Sequence, residues 1–214
     1  MILISWTNIS SCSGVMDKLV IIFMEGETDE VFFKQLLLYY SGTSKKPLSP
    51  YKICNLRGIT RYSSKLLAKL KNDFLPASRQ NSFTINAVCC SYDTDVFDAG
   101  NPMIVNWGNL RRSVLKIGVK EFVQLGIKRS IEDWILCDIS GICRFLKLNN
   151  IPKSLKGADG NAKLTNLYSL ANKVYQKGYQ ATALISALNM AVIREKNRTV
   201  LEGLEKVLGV YFEE

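Results

Sequence analysis

Acidic side chains follow two apolar runs of the chain at short, regular spacings. Glu25 ends the first run and Asp29 comes four positions later, while Asp93 and Asp95 follow another run two positions apart. In extended backbone, residues two apart project to the same side, so Asp93 and Asp95 are expected to point together. Carboxylates that converge on one spot repel each other unless a cation lies between them. Mg²⁺ takes such oxygen ligands, and one or two carboxylates with substrate phosphates are enough to hold it.

The chain contains no histidine. Its absence removes the commonest general base and the usual zinc ligand together. Any catalysis must therefore use carboxylates, lysine, serine, tyrosine or a hard metal ion held by oxygen atoms.

The elements that must position these acids alternate along the first two thirds of the chain. Apolar runs predict strands, and amphipathic patterns between them predict helices, the first of them capped by Thr28. This alternation predicts an α/β fold with a parallel sheet that is flanked by helices, with the acids at the carboxyl ends of the strands. The predicted strands are residues 19–24, 51–56, 84–90 and 121–127; the predicted helices are 28–40, 60–75, 104–117, 131–136, 141–148, 164–175, 181–194 and 200–208.

Basic residues concentrate in one block. The net charge is +9, and residues 41–79 contribute +8 of it, with nine basic residues against Asp73. Such a block favours a polyanionic partner over a solvated surface. Within it, Arg57, Arg61, Lys65 and Lys69 are predicted to bind nucleic acid, the last three at helical spacing on one face. A solvated helix face, or a docking surface for an acidic protein, is the alternative.

Composition indicates a globular protein of the cytoplasm. Hydrophobic residues make up 47% and charged residues 22% of 214 positions, and no apolar stretch is long enough for a membrane span. The six cysteines include no C-x-x-C pair, which favours reduced thiols. Residues 1–17 lack the charge pattern of a signal peptide and are predicted to be an extension outside the fold.

Two ordered motifs resemble those of the Toprim family. Val20 to Asp29 reads VIIFMEGETD, and Ala87 to Asp95 reads AVCCSYDTD. Toprim domains carry Glu-Gly after the first strand and Asp-x-Asp after the third, and the E-G-x-T-D form is most similar to OLD-type and related phage-defence nucleases. The resemblance implies that Glu25, Asp29, Asp93 and Asp95 are metal ligands.

A third motif extends the resemblance. Arg129 to Leu136 reads RSIEDWIL and resembles the R-x-I-E-N-Y-L segment of those proteins, with Asp and Trp in place of Asn and Tyr. It implies a supporting catalytic role for Glu132. The family pattern also implies a catalytic lysine, for which the candidates are Lys128, Lys163, Lys173 and Lys177.

Together these features lead us to expect a Toprim-like Rossmannoid domain at residues 18–138 with a helical extension at 139–214. The resemblance implies a nuclease that hydrolyses DNA or RNA with two Mg²⁺ or Mn²⁺ ions, with Glu25 in acid–base work, in a phage-defence setting. No G-x-x-x-x-G-K-[ST] stretch occurs, so an ABC-type ATPase is expected as a partner protein, and a homodimer is expected as well. The alternatives are a catalytically silent Toprim adaptor and a primase- or topoisomerase-like enzyme.

Overall fold

A parallel four-stranded sheet forms the centre of the molecule. The computed structural model describes residues 17–95 and 104–213, in which the strands have the order β2-β1-β3-β4. The strands are β1 (Asp17–Met24), β2 (Tyr51–Asn55), β3 (Phe83–Asp93) and β4 (Glu121–Ile127), and every pairing is parallel. The predicted α/β fold with an all-parallel sheet flanked by helices is confirmed.

Helices cover both faces of the sheet. The first eight elements of this kind are α1 (Glu27–Thr43), α2 (Arg61–Lys69), α3 (Leu75–Gln80), α4 (Trp107–Lys116), α5 (Ile131–Ile135), α6 (Ile139–Leu146), α7 (Gly160–Leu170) and α8 (Thr182–Ser186). The chain continues with α9 (Met190–Lys196) and α10 (Arg198–Leu208). A π-helical turn (Leu70–Phe74) joins α2 to α3, ahead of Pro76, which has no N–H to donate.

Alternate residues of β1 belong to two separate cores. Ile21 and Phe23 pack with Leu66 and Leu70 beneath α2 and α4, in the smaller cluster. Val20, Ile22 and Met24 pack into the larger cluster with α1 and the C-terminal helices. β1 is therefore buried on both faces, which explains its continuous apolar sequence.

The C-terminal helices share the core of the sheet. Leu201 and Leu204 of α10 lie in the same buried cluster as Leu125 of β4 and Phe32 of α1. Glu205 is held in this region by a bidentate ion pair with Arg194, at 2.7 and 2.8 Å. The domain boundary predicted at residue 138 stays a prediction, and the side chains on its two sides form one continuous core.

Three local predictions were wrong. Thr28 does not cap α1, because the helix begins one residue earlier with Gly26 at its N-cap position. The helix predicted at 164–175 ends at Leu170, and Asn172 adopts a left-handed φ of 53°. The helix predicted at 181–194 is two helices, because the Asn189 side chain caps α9 by accepting from the N–H groups of Ala191 and Val192.

The predicted N-terminal extension at residues 1–17 lies outside the described residues, except for Asp17, which begins β1. The five cysteines within the described part of the chain are free thiols, as the composition predicted. Across residues 17–95 and 104–213, no helix combines the length and the apolar character that crossing a membrane requires.

The tight packing of α10 on β4 gives a first prediction. A methyl group at Gly203 would lie 2.8 Å from Val123 Cγ1, and valine is stiff at χ1, so we expect Gly203→Ala to destabilise the fold by about 1 to 3 kcal/mol. Gly42, in α1, has no atom within 4 Å of the same added methyl. Gly42→Ala should therefore stabilise by up to about 1 kcal/mol, through helix propensity alone. Urea denaturation of both variants measures the difference, and equal effects would contradict the packing of α10.

Candidate active site

An acidic cleft opens at the carboxyl edge of the sheet. It has a volume of about 530 Å³, and five acidic and two basic residues line it. Its polar and charged lining consists of Glu25, Glu27, Thr28, Asp29, Asn55, Arg57, Asp93, Glu132 and Lys177. The predicted acids Glu25, Asp29, Asp93 and Glu132, which are spread over 108 positions of the chain, therefore share one cleft.

The strand ends fix Glu25 and Asp93 next to each other. Glu25 directly follows β1, and Asp93 is the last residue of β3, the neighbouring strand. The backbone N–H of Asp93 donates to Glu25 Oε2 at 3.4 Å, and Asp93 Oδ1 accepts from the N–H of Ile131 at 3.1 Å. The Tyr62 hydroxyl braces the same two strands, because it contacts the carbonyl oxygens of Phe23 and Ser91.

Asp29 and Glu132 reach the cleft from the first turns of helices. Asp29 lies near the N-terminus of α1, where the helix dipole favours an acidic residue. Its side chain is buried, and its Oδ1 atom has no hydrogen-bond partner within the described structure. Glu132 lies in the first turn of α5 and is only 2% exposed.

Burial and mutual repulsion raise the pKa values of these acids. Burial is the main cause that raises the pKa of Asp29 to about 7, and the charge of Glu25 is the second. Burial, followed by the charges of Asp29 and Glu25, raises the pKa of Asp93 to about 9. Burial also raises the pKa of Glu25, with a further contribution from Asp95. Such a group of carboxyls costs free energy to ionise, and a bound cation would offset that cost.

Lys177 supplies positive charge inside the cleft. Its ammonium group lies 3.1 Å from Glu132 Oε1. The next residue, Gly178, adopts a left-handed φ of 73°, and its N–H donates to the Thr28 hydroxyl at 2.8 Å. The left-handed φ favours glycine at position 178, where an added Cβ would lie 2.8 Å from Glu27 Oε2, the end of a flexible side chain. Of the four candidate lysines, Lys177 is the one that lines the cleft.

The other predicted site residues take different positions. Asp95 is exposed and lies outside the cleft lining, although its charge reaches Glu25. Arg57 lines the cleft with a left-handed φ of 62°. Arg61 is half-buried and donates to the Leu56 carbonyl at 3.2 Å, which reduces its availability to a phosphate. Lys65 is exposed on α2, and Lys69 lies 3.6 Å from Asp73.

The donor set fits a hard cation. All of the acidic ligands offer oxygen atoms, and the unpartnered Oδ1 of Asp29 is a buried acceptor that an ion would satisfy. The fit is incomplete, because within residues 17–95 and 104–213 no three acidic or cysteine side chains already form a metal-binding group. Binding of an ion therefore requires side chains of the cleft to rotate toward one another.

Sequence reasoning missed two features of this site. Asn55 ends β2 and lines the cleft, and the strand-end argument applied to the second strand would have found it. Tyr179, whose hydroxyl donates to Glu30 at 2.9 Å, leaves no local trace in the sequence, since 149 positions separate the two residues.

The chain matches no protein-family model, no curated protein and no solved structure.

The raised pKa values of Asp29 and Asp93 predict how stability depends on pH. A carboxyl with a raised folded-state pKa keeps its proton in the fold after the unfolded chain has released it. The folded state then binds more protons, so the free energy of unfolding falls as the pH rises. The fall should begin near the ordinary aspartate value of 3.8 and continue to about 9. Urea denaturation in EDTA at a series of pH values measures it.

A substitution tests the same point. Asp93→Asn keeps the acceptor for the Ile131 N–H and removes the free-energy cost of keeping a carboxyl protonated in the fold, so at pH 8 it should raise the free energy of unfolding by about 1 to 3 kcal/mol. Asp73→Asn, at an exposed aspartate beside Lys69, is the matched control and should change stability little. A loss of stability in Asp93→Asn, or a flat pH profile of the wild type, would contradict the described electrostatics.

Proposed function

We propose that this chain is a Toprim-type, metal-dependent nuclease that hydrolyses phosphodiester bonds in DNA or RNA. The observation that carries the proposal is the meeting of Glu25, Asp29, Asp93 and Glu132 in one cleft at the carboxyl edge of the sheet. These are the acids that the Toprim resemblance singles out. Asp95, the remaining acid of that set, is exposed and lies outside the cleft lining.

The charge balance of the cleft supports a cation-dependent reaction. When its acids are ionised, a lining of five acidic and two basic residues repels a phosphodiester. A divalent cation would remove this repulsion, and the basic block at residues 41–79 would attract the polyanion from a distance. If the substrate were neutral, or if an anionic substrate bound without a metal ion, the acidic lining would have no comparable explanation.

The residues of the chain divide the work. Glu25, Asp29 and Asp93 would hold Mg²⁺ or Mn²⁺, and when two ions are bound they supply an activated water and stabilise the leaving oxygen. Glu25, whose pKa is raised by burial, is the residue that would exchange a proton with water. Lys177 is suited to contact the phosphate, and the buried Glu132 holds its ammonium group in position.

Glu132 acts in this account as a positioning residue. Its side chain is buried and pairs with Lys177, so it orients the lysine that faces the substrate. The turn before α5 supports it: the Arg129 N–H donates to the Thr94 hydroxyl at 2.9 Å, and the Arg129 guanidinium donates to the Ala158 carbonyl at 2.9 Å. An ABC-type ATPase partner and a defence role remain part of the proposal on the strength of the resemblance alone, and the expected homodimer remains part of it as a separate prediction.

One observation favours a different function, a catalytically silent Toprim adaptor. Within the described residues no preformed metal-binding group exists, and Glu132 is already neutralised by Lys177. An adaptor would keep this arrangement and bind its partner without divalent ions. Metal titration by calorimetry separates the two functions. An adaptor should show no heat of metal binding that is lost in Asp93→Asn.

The nuclease proposal predicts that Glu25→Gln and Asp93→Asn abolish cleavage while both proteins stay folded. Each substitution removes a charged oxygen ligand and leaves the side-chain volume unchanged. Plasmid, single-stranded DNA and tRNA incubated with and without Mn²⁺ measure the activity, and circular dichroism checks the fold. Asp73→Asn should cut like the wild type. Equal cutting by wild type and both site variants would refute the assignment, as would wild-type cutting that persists in EDTA.

A further inference from the structure

An exposed tyrosine is fixed beside the cleft. Tyr179 follows Gly178 of the cleft lining, and it is 52% exposed. Its hydroxyl donates to Glu30 Oε2 at 2.9 Å, and Lys34 holds the other oxygen of Glu30 at 2.6 Å. The ring is therefore anchored at its polar end while its apolar body stays open to solvent, an arrangement in which a planar group can stack on it.

Two side chains connect this tyrosine to Arg57. Asn55 Nδ2 donates to the same Glu30 Oε2 at 3.4 Å, and Asn55 Oδ1 accepts from the Arg57 N–H at 2.8 Å. The positive charge of Arg57 also reaches the Tyr179 hydroxyl, where it lowers the pKa that the hydrogen bond to Glu30 raises. Glu30 and Asn55 thus link the exposed ring to a residue of the cleft lining, although the two segments are distant in sequence.

Arg57 is presented by an unusual backbone. Its backbone adopts a φ of 62°, which residues other than glycine rarely adopt, and Gly58 follows with a φ of 127°. Such conformations are concentrated at binding sites. The Arg57 side chain is exposed, and within residues 17–95 and 104–213 no acidic side chain forms an ion pair with it. The guanidinium is therefore available to an anion from outside.

We propose that Tyr179 and Arg57 form a subsite for one nucleotide of a single-stranded nucleic acid, with the base stacked on the ring and its phosphate bound by the guanidinium. This inference rests on the proposed nuclease function and names its substrate class. Unpaired bases have free faces that stack on aromatic side chains, whereas the bases of a duplex already stack on each other. The subsite therefore favours single strands, loops and frayed ends over continuous duplex.

Binding measurements on point variants test the subsite. The probes are a fluorescent oligothymidylate and a fluorescent DNA duplex of equal length, titrated by anisotropy with Ca²⁺ present, while gels of the same samples monitor cleavage. Tyr179→Leu removes the aromatic face and should weaken binding of the single strand about 5- to 150-fold, without changing the slope of log affinity against log salt. Tyr179→Phe keeps the ring and should retain most of the affinity.

Two further variants complete the design. Arg57→Gln should weaken binding and reduce the salt slope by about 0.7, the increment for one phosphate contact on a single strand. Tyr211→Leu is the matched control: Tyr211 is 51% exposed, and its N–H donates to Ser44 at the far end of the 17-residue α1. That helix is about 25 Å long, so this control should bind both probes as the wild type does.

The outcomes separate this inference from the nuclease proposal. Wild-type affinity of Tyr179→Leu for the oligothymidylate, or an equal loss for the duplex, would overturn the subsite, as would failure of the wild type to bind either probe. Binding that depends on Tyr179, without cleavage of any substrate when Mn²⁺ replaces Ca²⁺, would support the subsite and refute the nuclease. Cleavage that Tyr179→Leu leaves unchanged would support the nuclease and refute the subsite.

Discussion

The repulsion among carboxyls at the carboxyl edge of the sheet is the constraint on which the site depends. Glu25 and Asp93 end neighbouring parallel strands, so the sheet itself places them together. Asp29 adds a third acid, and burial makes each charge harder to keep, as the raised pKa values of Asp29 and Asp93 indicate. A fold that tolerates this arrangement must be stabilised elsewhere, and in the functional state the repulsion itself would provide affinity for a cation.

The surrounding structure supplies that stability. β1 is buried on both faces, and the Tyr62 hydroxyl contacts the carbonyls at the ends of β1 and β3. The C-terminal helices pack into the same core, and the segment before α8 brings Lys177 to Glu132. The C-terminal third of the chain therefore serves the cleft directly, because it provides both the lysine and the exposed ring of Tyr179.

The sequence predicted what depends on local pattern. Apolar runs identified all four strands of the described residues, and the rule that parallel strands end at one edge brought Glu25 and Asp93 together correctly. Local pattern could not select Lys177 from the four candidate lysines, since the contact of Lys177 with Glu132 depends on how distant helices pack. The cap assigned to Thr28 failed for a related reason: its hydroxyl accepts from Gly178, 150 positions away, and a local capping rule cannot include such a partner. Arg61 looked available by helical spacing, yet its guanidinium bonds to the Leu56 carbonyl.

The central claim is that the acids of this cleft hold a divalent cation. Anomalous diffraction from crystals of the protein grown with Mn²⁺ tests it most directly, because the anomalous signal identifies the metal and locates it independently of any activity. The account predicts an anomalous peak within coordination distance of Glu25 and Asp93, with Asp29 as a further direct or water-mediated ligand. A map with no peak in the cleft, from crystals in which the cleft is open to solvent and Mn²⁺ is in excess, would contradict it.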